Sequence, residues 1–504
     1  MRPAMLRTWS GSNTLPPIIG RPFSYPARVT WEDQMQIKII HKTSLIIFLG
    51  WLLLLLPHSF GSGLNNGSNP EELVCRMEPG YDIEIINTLY GTTVRSYQPQ
   101  IKCYLLIVPE GQDPESLATM INTRFEVQYC GANYYLAAPE PFQRSQPFLD
   151  NQGIGDLETQ LAATTLDLAT AQIITEGIDV NVAILDGGID FDHPEFVEKS
   201  GGVFSGWDFI DNDSIANDEP GGSCSGHGTF VAGVVKLVAP ASHIYAYRVL
   251  DTTGEGDGYN IAAAVLKAIA DSCKVINISF GMIGENVALD DALRYARDND
   301  VMVIAAAGND STDSNLIFPF PASRYYCIAV AALDSLNYRA DFSNFGVKVN
   351  VCAPGTAIYA PYLDTLYGWW SGTSFAAPFV TGLAALIYSL NPDIEWDDVY
   401  NIINQTATNV DSLNPGIEGM LGNGLINMTA ALQMVGEPYM SGDANHDEIV
   451  NLLDIMFVIS YLYRGGPAPI PLISADADGS GSVTILDLAY LIKYLYKNGP
   501  PPVG

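Results

Sequence analysis

Between residues 160 and 435 the chain alternates short apolar runs with stretches of helical pattern, and this alternation constrains the fold most strongly. The apolar runs are nearly continuous, as expected of strands buried on both faces of a parallel sheet. Helical stretches, such as residues 258–271 and 286–299, lie between them. Strands that alternate with helices predict a doubly wound α/β domain with a mostly parallel sheet. The predicted strands are VNVAILD, SHIYAYRVL, KVINISF, VMVIAAAG, YCIAVAAL and VKVNVCAPG.

Three short motifs within this domain follow the order Asp, His, Ser. Asp186 ends an apolar run in ILDGGIDF, His227 lies between two glycines in GHGTFVAG, and Ser374 begins an apolar helical stretch in SGTSFAAPFVTG. A serine hydroxyl is a weak nucleophile until an imidazole accepts its proton, and a carboxylate must hold that imidazole in the right tautomer. A helix start at Ser374 also brings backbone N–H groups toward a developing oxyanion. The three residues are therefore predicted to form a catalytic triad.

These motifs resemble those of the subtilisin-like serine proteases, the subtilases, which have the same Asp, His, Ser order. The serine motif matches the family's GTSMAAP with Phe375 in the variable slot, and the histidine motif matches HGTHVAG except at Phe230. The aspartate motif has Gly187 where the family has threonine or serine. The resemblance implies a subtilisin-like α/β fold and a serine endopeptidase that forms an acyl-enzyme and needs no cofactor for catalysis.

The resemblance also implies roles for two further segments. Asn309 in AAAGND is expected to supply the side-chain amide of an oxyanion hole. Ser279, Phe280 and Gly281 are expected to form the edge segment that pairs with an extended substrate. Such backbone pairing binds a peptide with little sequence selection, so the expected substrates are proteins and peptides.

The first 61 residues are predicted to be a leader. An apolar run from Leu45 to Leu56 follows Lys38 and Lys42, and its length suits a signal-peptide core but not a membrane-spanning helix. Cleavage after Gly61 would leave a secreted or cell-surface protein without a stable membrane span, and a noncleaved anchor is the alternative. Met35 is the natural start, which makes the residues before it an overextended reading frame.

Residues 65–145 form a small unit of alternating strand and helix patterns before the predicted peptidase domain, residues 155–435. Two strand patterns, residues 103–110 and 125–140, flank a short helical one. By position and size the unit resembles the prodomain of such proteases, which implies a folding chaperone and temporary inhibitor whose C-terminal tail lies in the substrate cleft. An unrelated accessory domain is the alternative. A polar, turn-rich linker, residues 141–155, follows.

The tail, residues 439–504, contains a duplication with an offset of 33 residues. Each copy carries oxygen ligands at positions 1, 3, 5, 9 and 12 of a loop and a backbone carbonyl at position 7, which is the spacing of a calcium loop. The pair resembles a type I dockerin, a small helical, EF-hand-like module, and this implies structural calcium and a cohesin-type partner. A self-contained stabilising module is the alternative. The expected ligands are Asp443, Asn445, Asp447, Ile449, Asn451 and Asp454, then Asp476, Asp478, Ser480, Ser482, Thr484 and Asp487.

The two loops differ at position 6, where a sharp turn favours glycine. Gly481 occupies it in the second loop, whereas Glu448 replaces glycine in the first, so the second site is predicted to bind calcium more tightly. Positions 10 and 11, which often contact the partner of a dockerin, are apolar in both loops, namely Leu452-Leu453 and Ile485-Leu486.

The net charge bears on the classes of partner, and the cysteine spacing bears on a possible zinc site. The chain has 56 acidic and 24 basic residues and a net charge of −32, a field that repels nucleic acid and favours divalent cations. Its seven cysteines lie singly, without the CxxC pairs of a zinc site. The leading interpretation is a secreted endopeptidase, made as a zymogen, with a calcium-dependent docking tail. The alternative is a catalytically silent protease fold that serves as an adaptor.

Overall fold

The computed structural model describes residues 68–142, 145–150, 155–198, 201–315, 318–436, 440–447, 449–467, 469, 472–480, 483–497 and 499–503. The predicted leader with Met35 therefore lies outside the described residues, as do Glu448, Gly481 and Ser482 of the tail loops.

Strands and helices alternate along most of the described chain. The strands are β1 (Ser68–Met77), β2 (Thr93–Gln98), β3 (Cys103–Ile107), β4 (Val127–Ala137), β5 (Phe148–Leu149), β6 (Asn181–Asp186), β7 (Val203–Asp208), β8 (His243–Arg248), β9 (Glu255–Asp257), β10 (Val275–Ile278), β11 (Met302–Ala306), β12 (Ile328–Leu333), β13 (Val351–Pro354), β14 (Ile358–Pro361) and β15 (Tyr367–Trp370). The helices are α1 (Glu84–Tyr90), α2 (Pro114–Ile121), α3 (Pro139–Phe142), α4 (Leu161–Thr165), α5 (Leu168–Ile174), α6 (Pro194–Glu198), α7 (His227–Val238), α8 (Gly258–Ala270), α9 (Val287–Arg297), α10 (Thr373–Leu390), α11 (Trp396–Thr406), α12 (Met428–Gly436), α13 (Leu452–Arg464) and α14 (Ile485–Lys497).

The central sheet has seven parallel strands in the order β13-β12-β11-β10-β6-β8-β7. All six strands predicted from apolar runs lie in it, and the doubly wound fold is confirmed. Strand β6 has β8 on one side and β10 on the other, so the direction in which strands are added reverses at β6. Ligands of such sheets bind at this switch point, beyond the carboxyl ends of the strands. Asp186, the last residue of β6, lies there.

Helix α10 forms the centre of the α/β domain. Its residues from Thr373 to Tyr388 are all buried, and it packs against α7 and the sheet. Within the described residues, this is the one helix long and apolar enough to cross a membrane, yet most of it is enclosed by the protein. We therefore interpret it as a core helix of this domain.

The small N-terminal unit is built on a five-stranded antiparallel sheet in the order β2-β3-β1-β4-β9. Its last strand, β9, belongs to the sequence of the α/β domain, so one sheet spans both units. β4 thus adds the N-terminal unit to an edge of the α/β domain. Beyond it, β5 pairs with β15, so the segment predicted as a plain linker is held to the α/β domain by strand pairing.

The tail consists of two loop–helix units. Helices α13 and α14 begin and end 33 residues apart, as the sequence duplication predicts. Their shared core also repeats at that offset, because Ala444, Ile455 and Val458 of the first unit correspond to Ala477, Leu488 and Leu491 of the second. Each unit buries its apolar helix face mainly against the other.

Candidate functional site

Asp186 and His227 are held together at the carboxyl end of the sheet. Asp186 Oδ1 accepts a hydrogen bond from the Gly187 N–H at 2.7 Å and lies 2.8 Å from His227 Nδ1. Both side chains are buried. His227 is the first residue of α7, preceded by Gly226 with φ +82°, and a Cβ on Gly228 would come within 3.0 Å of the Asp186 Cβ. The two flanking glycines therefore let the imidazole approach the carboxylate closely.

The acid–base pair strongly favours the imidazolium. Burial by itself lowers the pKa of His227, but the charge and hydrogen bond of Asp186, together with Glu140, outweigh it and raise that pKa to about 10. The hydrogen bond to Nδ1 leaves Nε2 directed at the remaining space of the site. In its neutral form, an imidazole oriented in this way can accept a proton from a hydroxyl and return it.

Ser374 and Asn309 lie on the other side of that space. Ser374 is the second residue of α10, and its buried Oγ lies 2.9 Å from the Ser279 carbonyl oxygen. Asn309 follows β11 and is also buried. Its Oδ1 accepts hydrogen bonds from the N–H and the hydroxyl of Thr373, at 2.9 and 2.7 Å. With Oδ1 engaged, the Asn309 NH₂ group must point into the site, where it can donate to an oxyanion.

A carboxylate from the N-terminal unit joins these groups. Glu140 lies in α3 and is fully buried. Its Oε2 lies 2.9 Å from Ser374 Oγ and 3.3 Å from His227 Nε2, while its Oε1 accepts a hydrogen bond from Asn309 Nδ2 at 2.8 Å. No sequence motif indicates Glu140, since it ends a predicted strand in a segment far from the triad motifs. Only the fold brings it to the site.

The predicted substrate-edge segment pairs with the N-terminal unit. Gly281 exchanges two backbone hydrogen bonds with Ala137, at 2.9 and 3.0 Å, and the Ala138 N–H donates to the Gly254 carbonyl oxygen at 3.0 Å. Phe280 is buried and lines a small pocket beside this pairing, and Ser279 is buried with its hydroxyl on the Ser374 carbonyl oxygen. The cleft therefore holds residues 137–138 as an extended peptide between two edges.

Asp218 is a further residue that the motifs did not reveal. Its carboxylate accepts hydrogen bonds from the Gly226 N–H at 2.9 Å and from the Thr229 hydroxyl and N–H at 2.7 and 3.2 Å. Complete burial raises its pKa to about 7, although those hydrogen bonds lower it. Asp218 thus holds the backbone in place on both sides of His227. Its position nine residues before the histidine, in a polar loop, carries no recognisable pattern.

The two aromatic departures from the family motifs pack against one another. The rings of Phe230 and Phe375 lie 4.6 Å apart, and Trp370 contacts both. Phe375 and Trp370 also flank the His227 imidazole, with ring centroids at 5.3 and 5.6 Å. The changed residues thus form one apolar wall behind the imidazole and compensate for each other in the packing.

The acidic loops of the tail form two compact clusters. Ligand oxygens of Asp443, Asp447 and Asp454 all lie within 4.8 Å of one another, and so do those of a second trio, Asp476, Asp478 and Asp487. Burial, with the neighbouring carboxylates, raises the pKa of Asp454 and of Asp487. Converging, partly buried carboxylates are the donor set that a hard cation such as Ca²⁺ prefers. The donors present therefore fit the predicted ion.

Other predicted ligands lie in the same loops. Asn445 contacts Asp447, Asn451 caps α13 through the Leu453 N–H, and Thr484 bonds the Leu486 N–H. The Ser480 N–H donates to Asp476 and Asp478, whereas Ile449 is exposed. Ser482 lies outside the described residues.

The chain matches known proteins in both regions. The profile of the Subtilase family matches residues 177–424, and that of the Dockerin type I domain matches residues 441–496. Subtilisin DY of Bacillus licheniformis is 36% identical over 268 residues, which cover 51% of this chain and 92% of that protein. Thermitase of Thermoactinomyces vulgaris is 38% identical over 226 residues, 43% of this chain and 77% of that protein.

A solved structure supports the fold. Fervidolysin from Fervidobacterium pennivorans, described as a keratinolytic enzyme related to subtilisin, has a TM-score of 0.59 and 22% identity to this chain. The match covers 75% of this chain and 64% of that one. At this identity the likeness bears on the fold and not on the substrate.

Proposed function

Because the chain belongs to the subtilase family and is a serine endopeptidase, we propose that Asp186, His227 and Ser374 are its catalytic triad. The observation that carries this assignment is the buried 2.8 Å contact between Asp186 and His227, beside a buried Ser374 at a helix start. The carboxylate that stabilises the imidazolium, the base and the nucleophile are thus close enough together to act on one substrate carbonyl group.

The proposed reaction proceeds through an acyl-enzyme. Ser374 Oγ attacks the carbonyl carbon of the scissile bond while His227 Nε2 takes its proton, and Asp186 stabilises the resulting imidazolium. The Asn309 NH₂ group donates to the oxyanion. His227 then gives the proton to the leaving amine, and a water molecule, deprotonated by the same imidazole, hydrolyses the ester.

The substrate is proposed to bind as a strand across the segment of Ser279, Phe280 and Gly281. Residues 137–138 of the N-terminal unit already lie there, with backbone hydrogen bonds that any extended peptide can make. This supports protein and peptide substrates. It also supports residues 65–145 as a prodomain that occupies the cleft. We further propose residues 155–435 as the peptidase domain and the first 61 residues as a leader that directs export.

For the tail, residues 439–504, we propose calcium-dependent docking to a cohesin-type partner. Twelve expected ligands lie in two equivalent loops, and the carboxylates among them converge. The apolar residues at positions 10 and 11 are all more than half exposed: Leu452, Leu453, Ile485 and Leu486. Exposed apolar side chains beside an ion site favour a partner surface over a purely stabilising module.

Labelling with a serine-directed fluorophosphonate tests the proposed nucleophile. The processed enzyme should be labelled and should cleave peptides, whereas Ser374→Ala should do neither although circular dichroism shows it to be folded. Chelator should leave this labelling in place if calcium serves the tail alone. Peptide cleavage by Ser374→Ala at the parental rate would contradict the triad, and a folded, processed parent that is never labelled would favour the adaptor alternative.

A further inference from the structure

The Glu140 carboxylate contacts each functional group of the proposed catalytic centre. One oxygen lies against both Ser374 Oγ and His227 Nε2, and the other receives the Asn309 NH₂ group. Those three groups are also the ones that a substrate carbonyl must meet. The carboxylate therefore occupies the position of the reacting carbonyl and matches the charge of an oxyanion.

The backbone around Glu140 does not follow the path of a bound substrate. Residues up to Ala138 are paired with the cleft in extended form, but the chain turns at Pro139 into the single-turn helix α3. The Ser145 N–H closes this turn on the Glu140 carbonyl oxygen at 3.0 Å. A side chain, rather than a peptide group, thus faces Ser374.

The turn is fixed on both sides. Upstream, Ala137 pairs with Gly281. Downstream, the Trp370 indole N–H donates to Ser145 Oγ at 3.1 Å, and β5 pairs with β15. A group held between two anchors has a high effective concentration at its site, so even modest contacts can keep out a free substrate.

We infer that Glu140 is an internal carboxylate inhibitor of the uncut chain, which blocks the nucleophile, the base and the oxyanion donor together until α3 is withdrawn. The inference rests on the proposed function of the site. Its consequence is that α3 must be withdrawn before Ser374 can react with a substrate. Any free carboxylate ligand would have to compete with Glu140 for the same three groups.

Fluorophosphonate labelling of the uncut band, resolved by electrophoresis, tests this inhibitor. Glu140→Ala should raise the initial labelling rate of Ser374 in the uncut chain at least tenfold, and Glu140→Gln should raise it less. Glu126→Gln is the matched control, because Glu126 is a buried carboxylate of the same unit, paired with Arg124 away from the site. Equal rates for Glu140→Ala and the parent would overturn the inference.

A second measurement separates this inference from the triad itself. In a Ser374→Ala background, which cannot react, the inference predicts that Glu140→Gln lowers the pKa of His227 measured by NMR in the uncut chain. An unchanged His227 pKa would overturn the contact whether or not the enzyme is active. Loss of labelling in the processed parent, with the His227 shift present, would instead contradict the proposed function alone.

Two cysteines of the N-terminal sheet form a further feature that is independent of Glu140. Cys75 in β1 and Cys130 in β4 are directly opposite in the antiparallel register, and both are buried. The Cys130 N–H and carbonyl oxygen bond with the Asn122 side chain, at 2.7 and 2.5 Å, on the edge away from β1. The two cysteines therefore form a non-hydrogen-bonded pair, whose Cα atoms lie about 4.5 Å apart in such ladders.

This geometry suits a disulfide, which bridges Cα atoms about 4.4–6.8 Å apart. The neighbouring Cys75 thiol, together with burial and Cys103, also raises the pKa of Cys130. Cys103 lies opposite Arg76 in the β1–β3 pair and so points to the other sheet face, where it contacts the Tyr129 hydroxyl at 3.6 Å. The sheet thus selects one pair among its three cysteines.

We propose that Cys75 and Cys130 form a disulfide across the N-terminal sheet in an oxidising compartment. The oxidant is a disulfide of the glutathione class. One thiolate attacks it to give a mixed disulfide, the second thiolate attacks that intermediate, and two reduced thiols leave with the two electrons. The bond joins distant parts of the unit that carries Glu140.

Peptide mapping under non-reducing conditions tests the bond. Ser374→Ala protein refolded in a glutathione buffer should yield a linked Cys75–Cys130 peptide, and five of its seven cysteines should react with iodoacetamide after denaturation. Cys103→Ser should keep the linked peptide, and Cys75→Ser should lose it. Alkylation of all seven cysteines after oxidation, or a linked peptide that contains Cys103, would overturn the proposal.

Discussion

The oxygen side of the Asn309 amide is held by Thr373. Thr373 donates to Asn309 Oδ1 twice and accepts the Gly308 N–H at 3.0 Å, so its hydroxyl links the end of β11 to the start of α10. The sequence pattern indicated Asn309 but not this support, because a threonine in GTS has no feature that identifies its partner. Positioning residues of this kind depend on contacts between distant elements.

Replacement of Thr373 should therefore impair turnover rather than binding. Asn309→Ala should lower kcat by about 10²–10³, a range taken from an oxyanion-hole asparagine of a subtilisin and not from this geometry. Thr373→Val should lower kcat by about tenfold or more without exceeding that loss, since the amide remains but is less well oriented. KM should change little, and Thr373→Ser should restore activity. A Thr373→Val enzyme with parental kcat would contradict the positioning role.

The stability of the uncut chain is expected to depend on pH through the protonation of His227. Its pKa is raised from 6.5 to about 10 in the uncut chain, so its contribution to stability is complete below pH 6.5 and is lost as the pH rises through 10. Asp186, Asp218, Glu140 and Cys224 are the titratable groups around it. Burial raises the pKa of Asp218 from 3.8 to about 7. Its contribution to stability is therefore lost as the pH rises from 3.8 through 7, mainly below the range in which His227 titrates.

Chemical denaturation of the Ser374→Ala protein between pH 6.5 and 10 measures this effect. The free energy of unfolding should fall with increasing pH, and Glu140→Gln should make the fall smaller because one of the charges that stabilise the imidazolium is removed. The Glu126→Gln control should keep the parental slope. Identical slopes for all three proteins would exclude Glu140 as a source of the shift.

At the level of elements, the strands that could be predicted are the buried ones, because burial requires apolar residues and these give a recognisable pattern. Six of the seven strands of the central sheet are largely buried, so their apolar runs mark them without any tertiary information, whereas the edge strand β7 is only partly buried and has no such run. β2 is largely exposed and β5 has two residues, and neither leaves such a pattern. β5 exists because Leu149 and Phe148 pair with residues 368 and 369 of β15, a contact that local sequence cannot encode. The resemblance implied that the tail of the N-terminal unit lies in the cleft, but not that residues 137–138 are the ones paired there.

The tail loops should fold only with calcium. A fragment from about residue 436 to 504 is small, and each loop gathers three carboxylates that repel one another without a cation. Calcium binding to the native state should therefore add directly to its stability. Asp476→Ala should remove most of the calcium-induced helicity, and Glu448→Gly should strengthen the first site.

Circular dichroism during calcium titration of the three fragments checks this. The second loop should bind more tightly in the parent, because Gly481 makes the turn at position 6 more easily than Glu448. A fragment that is equally helical in excess chelator would contradict calcium-driven folding. Equal affinities for the two sites would contradict only their ranking.

On the scale of the whole molecule, one antiparallel sheet joins the N-terminal unit to the catalytic domain through β4 and β9. Composition and motifs predicted separate units but not this shared sheet, since strand pairing between them depends on register. After α3, Ser145 accepts a hydrogen bond from the Trp370 indole N–H and donates one to the Ser371 carbonyl oxygen, three residues before Ser374 in the same chain. Cleavage within one molecule then competes favourably with cleavage by a neighbour, because the bond is already at high local concentration.

Maturation should accordingly be intramolecular and depend on Ser374. The active protein should lose its N-terminal unit by a cut within residues 141–151, whereas Ser374→Ala should keep it, because the nucleophile is absent while the shared sheet remains. N-terminal sequencing of both proteins locates the cut, and the first-order rate of processing should stay constant over a hundredfold dilution. A rate that falls in proportion to concentration would indicate cleavage between molecules. Identical start sites in the two proteins would exclude self-processing, since the Ser374→Ala chain could then have been cut only by another protease.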